Sequence, residues 1–118
     1  MQNKSPVSVG YAPQFKRDIK HLIKKYRHIR DDVENLIQQL EQGATPGDQL
    51  QGTGDTVYKT RLRSSDLRKG NSGSYRVIYY IKTAEFLLLV TIYIKTEQVD
   101  ISAKEIQQLI DEFENPSS

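Results

Sequence analysis

Residues 86–94, Phe-Leu-Leu-Leu-Val-Thr-Ile-Tyr-Ile, are the longest apolar run in the chain. Branched and aromatic side chains dominate it, and these fit a pleated strand. Nine residues are too few to span a bilayer, so the run reads as a central, well-buried strand. This strand takes in residues 86–95. A tight turn at 83–85 precedes it, and segment 74–82 supplies a strand before the turn. Residues 57–63 alternate in the same manner and give another. Consecutive strands with short links imply an antiparallel meander, with helices packed on one face.

The helices are legible from their period. Val7, Val9 and Tyr11 suggest a short first strand, and Pro13 then suits the first turn of a helix. Phe15, Ile19, Leu22, Ile23 and Tyr26 lay an apolar stripe along that helix, whose outer face is basic. Val33, Leu36, Ile37 and Leu40 repeat the spacing, and Gly43 is a natural C-terminal cap. The two helices form either a hairpin or one kinked pair. Residues 43–56 and 64–73 are rich in glycine and polar side chains and read as loops. Ser102 and Glu105 form a capping box that opens a last helix, with Ile106, Leu109, Ile110 and Phe113 inward. The expected fold is α+β in the order β-α-α-β-β-β-α. It is one small domain over residues 1–118, with flexible termini at 1–6 and 114–118.

Composition narrows the chemistry. A chain of 118 residues supports one modest core, so an active site lies on its surface or in a shallow cleft. With no cysteine there is no disulfide framework, thiolate zinc site or cysteine nucleophile. Two histidines argue against a histidine metal cage. The N-terminal residues lack a stretch of signal-peptide character, which fits a soluble cytoplasmic protein.

The net charge of +2 conceals segregation. Residues 1–30 carry eight basic and one acidic side chain, and residues 31–56 carry six acidic and no basic ones. Residues 57–82 carry seven basic and one acidic, and residues 96–118 one basic and six acidic. Two basic blocks suggest a polyanionic partner, although a charge run is usually a solvated face.

The second block is the more specific. Strand 57–63 puts Val57, Lys59, Arg61 and Arg63 on one face and Tyr58, Thr60 and Leu62 on the other. The row of cations reads either as an edge strand protected against aggregation or as a phosphate-binding row. Arg68 and Lys69 follow in the loop, Arg76 lies on the next strand, and Tyr75, Tyr79, Tyr80 and Tyr93 interleave. Cations mixed with aromatics suit RNA, whose bases stack and whose phosphates pair. His21 and His28 lie seven apart on the basic helix and read as surface residues rather than a ribonuclease pair.

Residues 57–65, Val-Tyr-Lys-Thr-Arg-Leu-Arg-Ser-Ser, and 73–80, Gly-Ser-Tyr-Arg-Val-Ile-Tyr-Tyr, resemble the core of RelE/HigB-type toxins of bacterial toxin–antitoxin modules. Residues 86–97 and the segment from Asp100 to Glu105 resemble the last strand and terminal helix of the HigB-like branch. The resemblance spans roughly residues 8–113. It implies a ribosome-dependent endoribonuclease that cleaves mRNA in the ribosomal A site and inhibits translation. No metal or other cofactor is implied. A ribose 2′-hydroxyl would attack the adjacent phosphate and expel the 5′-oxygen of the next nucleotide.

The resemblance makes Lys59, Arg61, Arg76 and Lys95 the catalytic candidates. Arg61 and Arg76 would clamp the phosphate, Lys59 would be the general base, and Lys95 an acid or electrostatic stabiliser. Arg63, Arg68, Lys69 and Tyr93 would bind RNA, and Glu97 could carry a proton. The basic block on residues 16–30 would touch rRNA. Several relatives carry a tyrosine or histidine shortly after the last strand as the acid–base group, whereas residues 96–101 here are Thr-Glu-Gln-Val-Asp-Ile. The acid and base are therefore open, and Tyr93 could stack, substitute chemically or be core. Implied partners are a cognate antitoxin, the ribosome and mRNA, with no membrane. Two other functions fit the scaffold: a ParE-like toxin that poisons DNA gyrase, and a non-catalytic RNA-binding module.

Overall fold

A computed structural model describes residues 6–66, 74–95 and 100–115. The elements are β1 (Ser8–Tyr11), α1 (Pro13–Leu22), α2 (Ile29–Glu41), β2 (Asp48–Gln49), β3 (Val57–Arg63), β4 (Ser74–Thr83), β5 (Phe86–Ile94) and α3 (Ala103–Glu114). Among the described residues the strands form one sheet in the order β1-β5-β4-β3-β2. The expected α+β domain and its element order stand, with the short β2 added. The loose termini expected at 1–6 and 114–118 fall largely outside the described residues. Glu114 is described: it ends α3 and pairs with Lys82 at 3.1 Å.

Two details of the expected architecture are corrected. First, the sheet is mixed. β1 runs parallel to β5, with Ser8 opposite Phe86 and Tyr11 opposite Leu89, while β3, β4 and β5 form the antiparallel meander. Strands so far apart in sequence leave no local sign of their pairing. Second, helices cover both faces. α1 and α2 pack with Tyr75, Val77, Tyr79, Leu87, Leu89 and Ile92. On the opposite face, Ile106 and Ile110 of α3 pack with Val57, Ile78, Tyr80, Leu88 and Val90. The reason lies in β5, whose unbroken apolar run exposes apolar side chains on both faces and requires a cover for each.

Local signals close the elements as expected. Pro13 sits in the first turn of α1. α2 ends at Glu41 with Gln42 as its C-cap, and Gly43 follows at φ 95°, a left-handed conformation that glycine adopts without steric cost. The capping box of α3 is complete, with Ser102 Oγ accepting from Glu105 N–H at 3.1 Å and Glu105 accepting from Ser102 N–H at 3.0 Å. The basic helix is shorter than its stripe suggests. It ends at Leu22, and turns carry the chain to His28, the residue preceding α2. His21 and His28 therefore do not share a helix face. Tyr26, within the turns, meets Tyr75 edge-on at 5.8 Å.

Two carboxylates on the helices hold the sheet. Asp18, the sole acid of the first thirty residues, accepts Ile92 N–H at 3.0 Å and the Thr91 hydroxyl, at the stretch of β5 that β1 no longer covers. Asp32 is buried and accepts from both the N–H and the hydroxyl of Ser65, just past β3.

Candidate nucleic-acid interface

The site begins with the pleat of β3. Its neighbours assign the faces: Tyr58 and Leu62 pack with α1 and α2, and Val57 packs with α3. Lys59 and Arg61 therefore project on the α3 side, as their alternation requires. Pairing carries the row across the sheet, with Arg61 opposite Arg76 and Arg76 opposite Tyr93.

Tyr93 reaches that face because β5 is irregular. The register between β4 and β5 shifts after Ile78, where Tyr79 faces Leu89 and Ile78 faces Thr91. One extra residue on β5 reverses the alternation beyond it. Before the bulge, Leu87 and Leu89 face α1 and α2 while Leu88 faces α3. After it, Ile92 and Ile94 face α1 and α2 while Tyr93 faces α3. Strict alternation from Leu87 would have put Tyr93 on the opposite face.

The cations converge on a residue to which sequence reasoning gave no role. Asp100 lies 3.8 Å from Lys59 Nζ and 3.8 Å from Lys95 Nζ through the same carboxylate oxygen. Its other oxygen accepts the Tyr93 hydroxyl at 3.0 Å. The capping box two residues later fixes where the chain enters α3, and so fixes Asp100 over the sheet. The Tyr93 hydrogen bond holds the Asp100 carboxyl below its ordinary value; burial opposes it, and the positive charges of Lys59, Lys95 and Arg76 add to the lowering. Burial, reinforced by the Asp100 carboxylate, pushes the Tyr93 hydroxyl up to about 12, so it remains a donor at neutral pH. The pairing of Asp100 with this cluster depends on tertiary approach, and no spacing in the sequence announces it.

The remaining expected residues divide. Arg76 is half-buried and donates to the Ser74 carbonyl at 3.4 Å. Arg61 and Arg63 are exposed along β3, beyond the two residues that β2 pairs. Arg68, Lys69 and Glu97 lie outside the described residues. The expected aromatic platform is corrected. Tyr75 and Tyr79 are fully buried against the helices, and Tyr93 is 3% exposed. A base finds no open ring there, because the sheet uses these rings as core. The part of Tyr93 that meets the site is its hydroxyl. Tyr79 instead stacks on Tyr58 at 5.4 Å and donates to the Pro46 carbonyl at 2.6 Å.

His28 has a structural partner. Its Nδ1 lies 2.7 Å from Asp66 Oδ1, and its backbone N–H donates to Oδ2 at 2.9 Å. With Asp32 and Ser65, this clasps the start of the β3–β4 connection to α2. The cationic site itself is open surface. A groove between the end of α2 and the β4–β5 turn, lined by Leu40, Gly43, Ile81 and Leu87, contains none of its residues.

Comparison with known proteins places the fold. A structure of an E. coli RelE toxin mutant in the free state superposes with a TM-score of 0.52 at 16% identity, covering 96% of this chain and 99% of that one. Likeness at that identity establishes the shared fold. A family model, the RelE toxin of the RelE/RelB toxin–antitoxin system, matches residues 14–112, from the first turn of α1 to the last turn of α3. The cations of β3 to β5 and nearly all of the helices that frame them lie within that match, and the chain belongs to the RelE toxin family.

Proposed function

We propose that this RelE-family toxin is a ribosome-dependent, metal-independent endoribonuclease that cleaves mRNA in the ribosomal A site and so stops translation. The observation that carries the reading is the grouping of Lys59, Arg76, Lys95 and the Tyr93 hydroxyl around one point of the sheet, with Arg61 beside Arg76. A phosphorane carries more negative charge than the diester it forms from. Fixed guanidinium and ammonium groups stabilise that difference, which is the part of binding that accelerates the reaction.

In this reading Arg61 and Arg76 hold the phosphate oxygens. Lys59 and Lys95, both paired with Asp100, serve the two proton transfers: acceptance from the 2′-hydroxyl and delivery to the leaving 5′-oxygen. Arg63, Arg68 and Lys69 hold the RNA backbone. The basic side chains of α1 lie on the opposite face of the sheet and offer a second contact to rRNA. The toxin acts in the cytoplasm, and its family implies a RelB-like antitoxin that covers the cationic face.

The test is incubation with programmed ribosomes and mapping of mRNA 5′ ends. A-site cleavage is expected, and Arg76→Ala should lower its rate about a hundredfold or more while the protein stays folded. Absence of cleavage together with gyrase inhibition would transfer the protein to the ParE-like function. RNA binding without cleavage would make it a binding module.

A further inference from the structure

Among the described residues, the charges that act on the Asp100 carboxylate are positive: Lys59, Lys95 and Arg76. The carboxylate touches Lys59 and Lys95 at 3.8 Å, too far for a hydrogen bond to either, so charge alone holds the lysines to it. Its direct bond is to the Tyr93 hydroxyl at 3.0 Å. Its side chain is 41% exposed and Lys95 is 56% exposed, so the cluster lies open to an incoming ligand. An ammonium pair, a nearby guanidinium and a hydroxyl donor around one anionic group are what a phosphodiester would require.

We propose that the Asp100 carboxylate is an internal counter-anion that occupies the phosphate seat, and that RNA binds by exchange, the phosphate taking over Lys59, Lys95 and the Tyr93 hydroxyl. This deepens the nucleic-acid reading and rests on it. Two consequences follow. The cations stay converged in the free protein, where without Asp100 they would repel one another. The affinity for RNA is also held below what the cations alone would give, because the phosphate that enters this seat must displace the carboxylate.

Asp100→Asn tests this. The amide keeps an oxygen that accepts from Tyr93 and removes the charge. The probe is a short single-stranded oligonucleotide with 2′-O-methyl riboses, which binds and is not cut, read by fluorescence anisotropy. We expect Asp100→Asn to bind about three- to tenfold more tightly than the wild type, the range for losing two partly exposed ion-pair competitors. Glu112→Gln changes the net charge equally on the exposed part of α3 and should change affinity less than twofold. Where the wild type binds the oligonucleotide, unchanged or weaker binding in Asp100→Asn, or an equal gain in Glu112→Gln, overturns the proposal. A second probe separates it from the RNA reading. Inorganic phosphate, followed through the Tyr93 ring signals by NMR, should saturate at lower concentration in Asp100→Asn. If that holds while neither protein binds the oligonucleotide, the seat stands and the RNA reading falls. If phosphate binding does not tighten, the seat falls.

Discussion

Asp18→Ala should cost this protein a large share of its stability without touching the cationic site. The Asp18 carboxylate accepts Ile92 N–H at 3.0 Å, the Thr91 hydroxyl at 2.5 Å and the Gln14 side-chain amide at 2.8 Å. Thr91 is 5% exposed and Ile92 1%, so water cannot replace the lost acceptor for either. An orphaned buried donor costs about 1–3 kcal/mol. Two of them, on a carboxylate that is itself only half-buried, amount to about 2–4 kcal/mol. A domain of this size holds about 5–15 kcal/mol in total, and its Tm should fall by about 8–16 °C. Urea titration and thermal melting followed by circular dichroism measure both quantities. Asp18→Asn keeps one acceptor oxygen, and because Ile92 N–H and the Thr91 hydroxyl both donate to the same carboxylate oxygen, it should recover at least half of the loss. The reasoning is refuted if Asp18→Ala lies within about 0.5 kcal/mol of the wild type, because Ile92 N–H would then have found another partner.

Two further outcomes follow from the clasp and from the β2 turn. The hydrogen bond to Asp66, then its charge, raises the His28 imidazole above its ordinary 6.5, and the same contact lowers Asp66 below 3.8. The His28 contribution is complete below about 6.5 and is lost as pH rises through the raised folded value; the Asp66 contribution is present above 3.8 and is lost as pH falls through the lowered one. An NMR titration of the His28 ring should return to about 6.5 in Asp66→Asn, and an unshifted titration would show that Asp66 is not the cause. Gly47→Ala should destabilise by about 2–4 kcal/mol, because φ is +94° and an added Cβ would stand 2.2 Å from the Lys59 carbonyl oxygen. Gly52→Ala, with φ +85° but its nearest neighbour at 3.6 Å, should cost only about 1–2 kcal/mol in urea unfolding. Equal losses at the two glycines would deny the close approach.

The sequence by itself determined the elements and their ends. Strand 57–63 falls on the residues its alternation marked, and the apolar run 86–94 is the buried strand next to the centre of the sheet. Pro13, Gly43 and the Ser102–Glu105 box close their helices where local chemistry requires. These signals are short-ranged, because a cap or a period of two acts within a few residues. The row of cations on one face of β3 was legible for the same reason. The tertiary structure alone decided the rest. The parallel partner of β5 comes from the other end of the chain, and α3 crosses to the face opposite α1 and α2. The bulge after Leu89 gave Tyr93 to the α3 face and withdrew its ring from any stacking role. Asp100 became the centre of the site because it lies just ahead of the Ser102 cap of α3, which brings it over Lys59, forty-one positions earlier. A carboxylate seeks the nearest uncompensated cations in space, and which cations those are is settled by how the sheet pairs and where the helix starts.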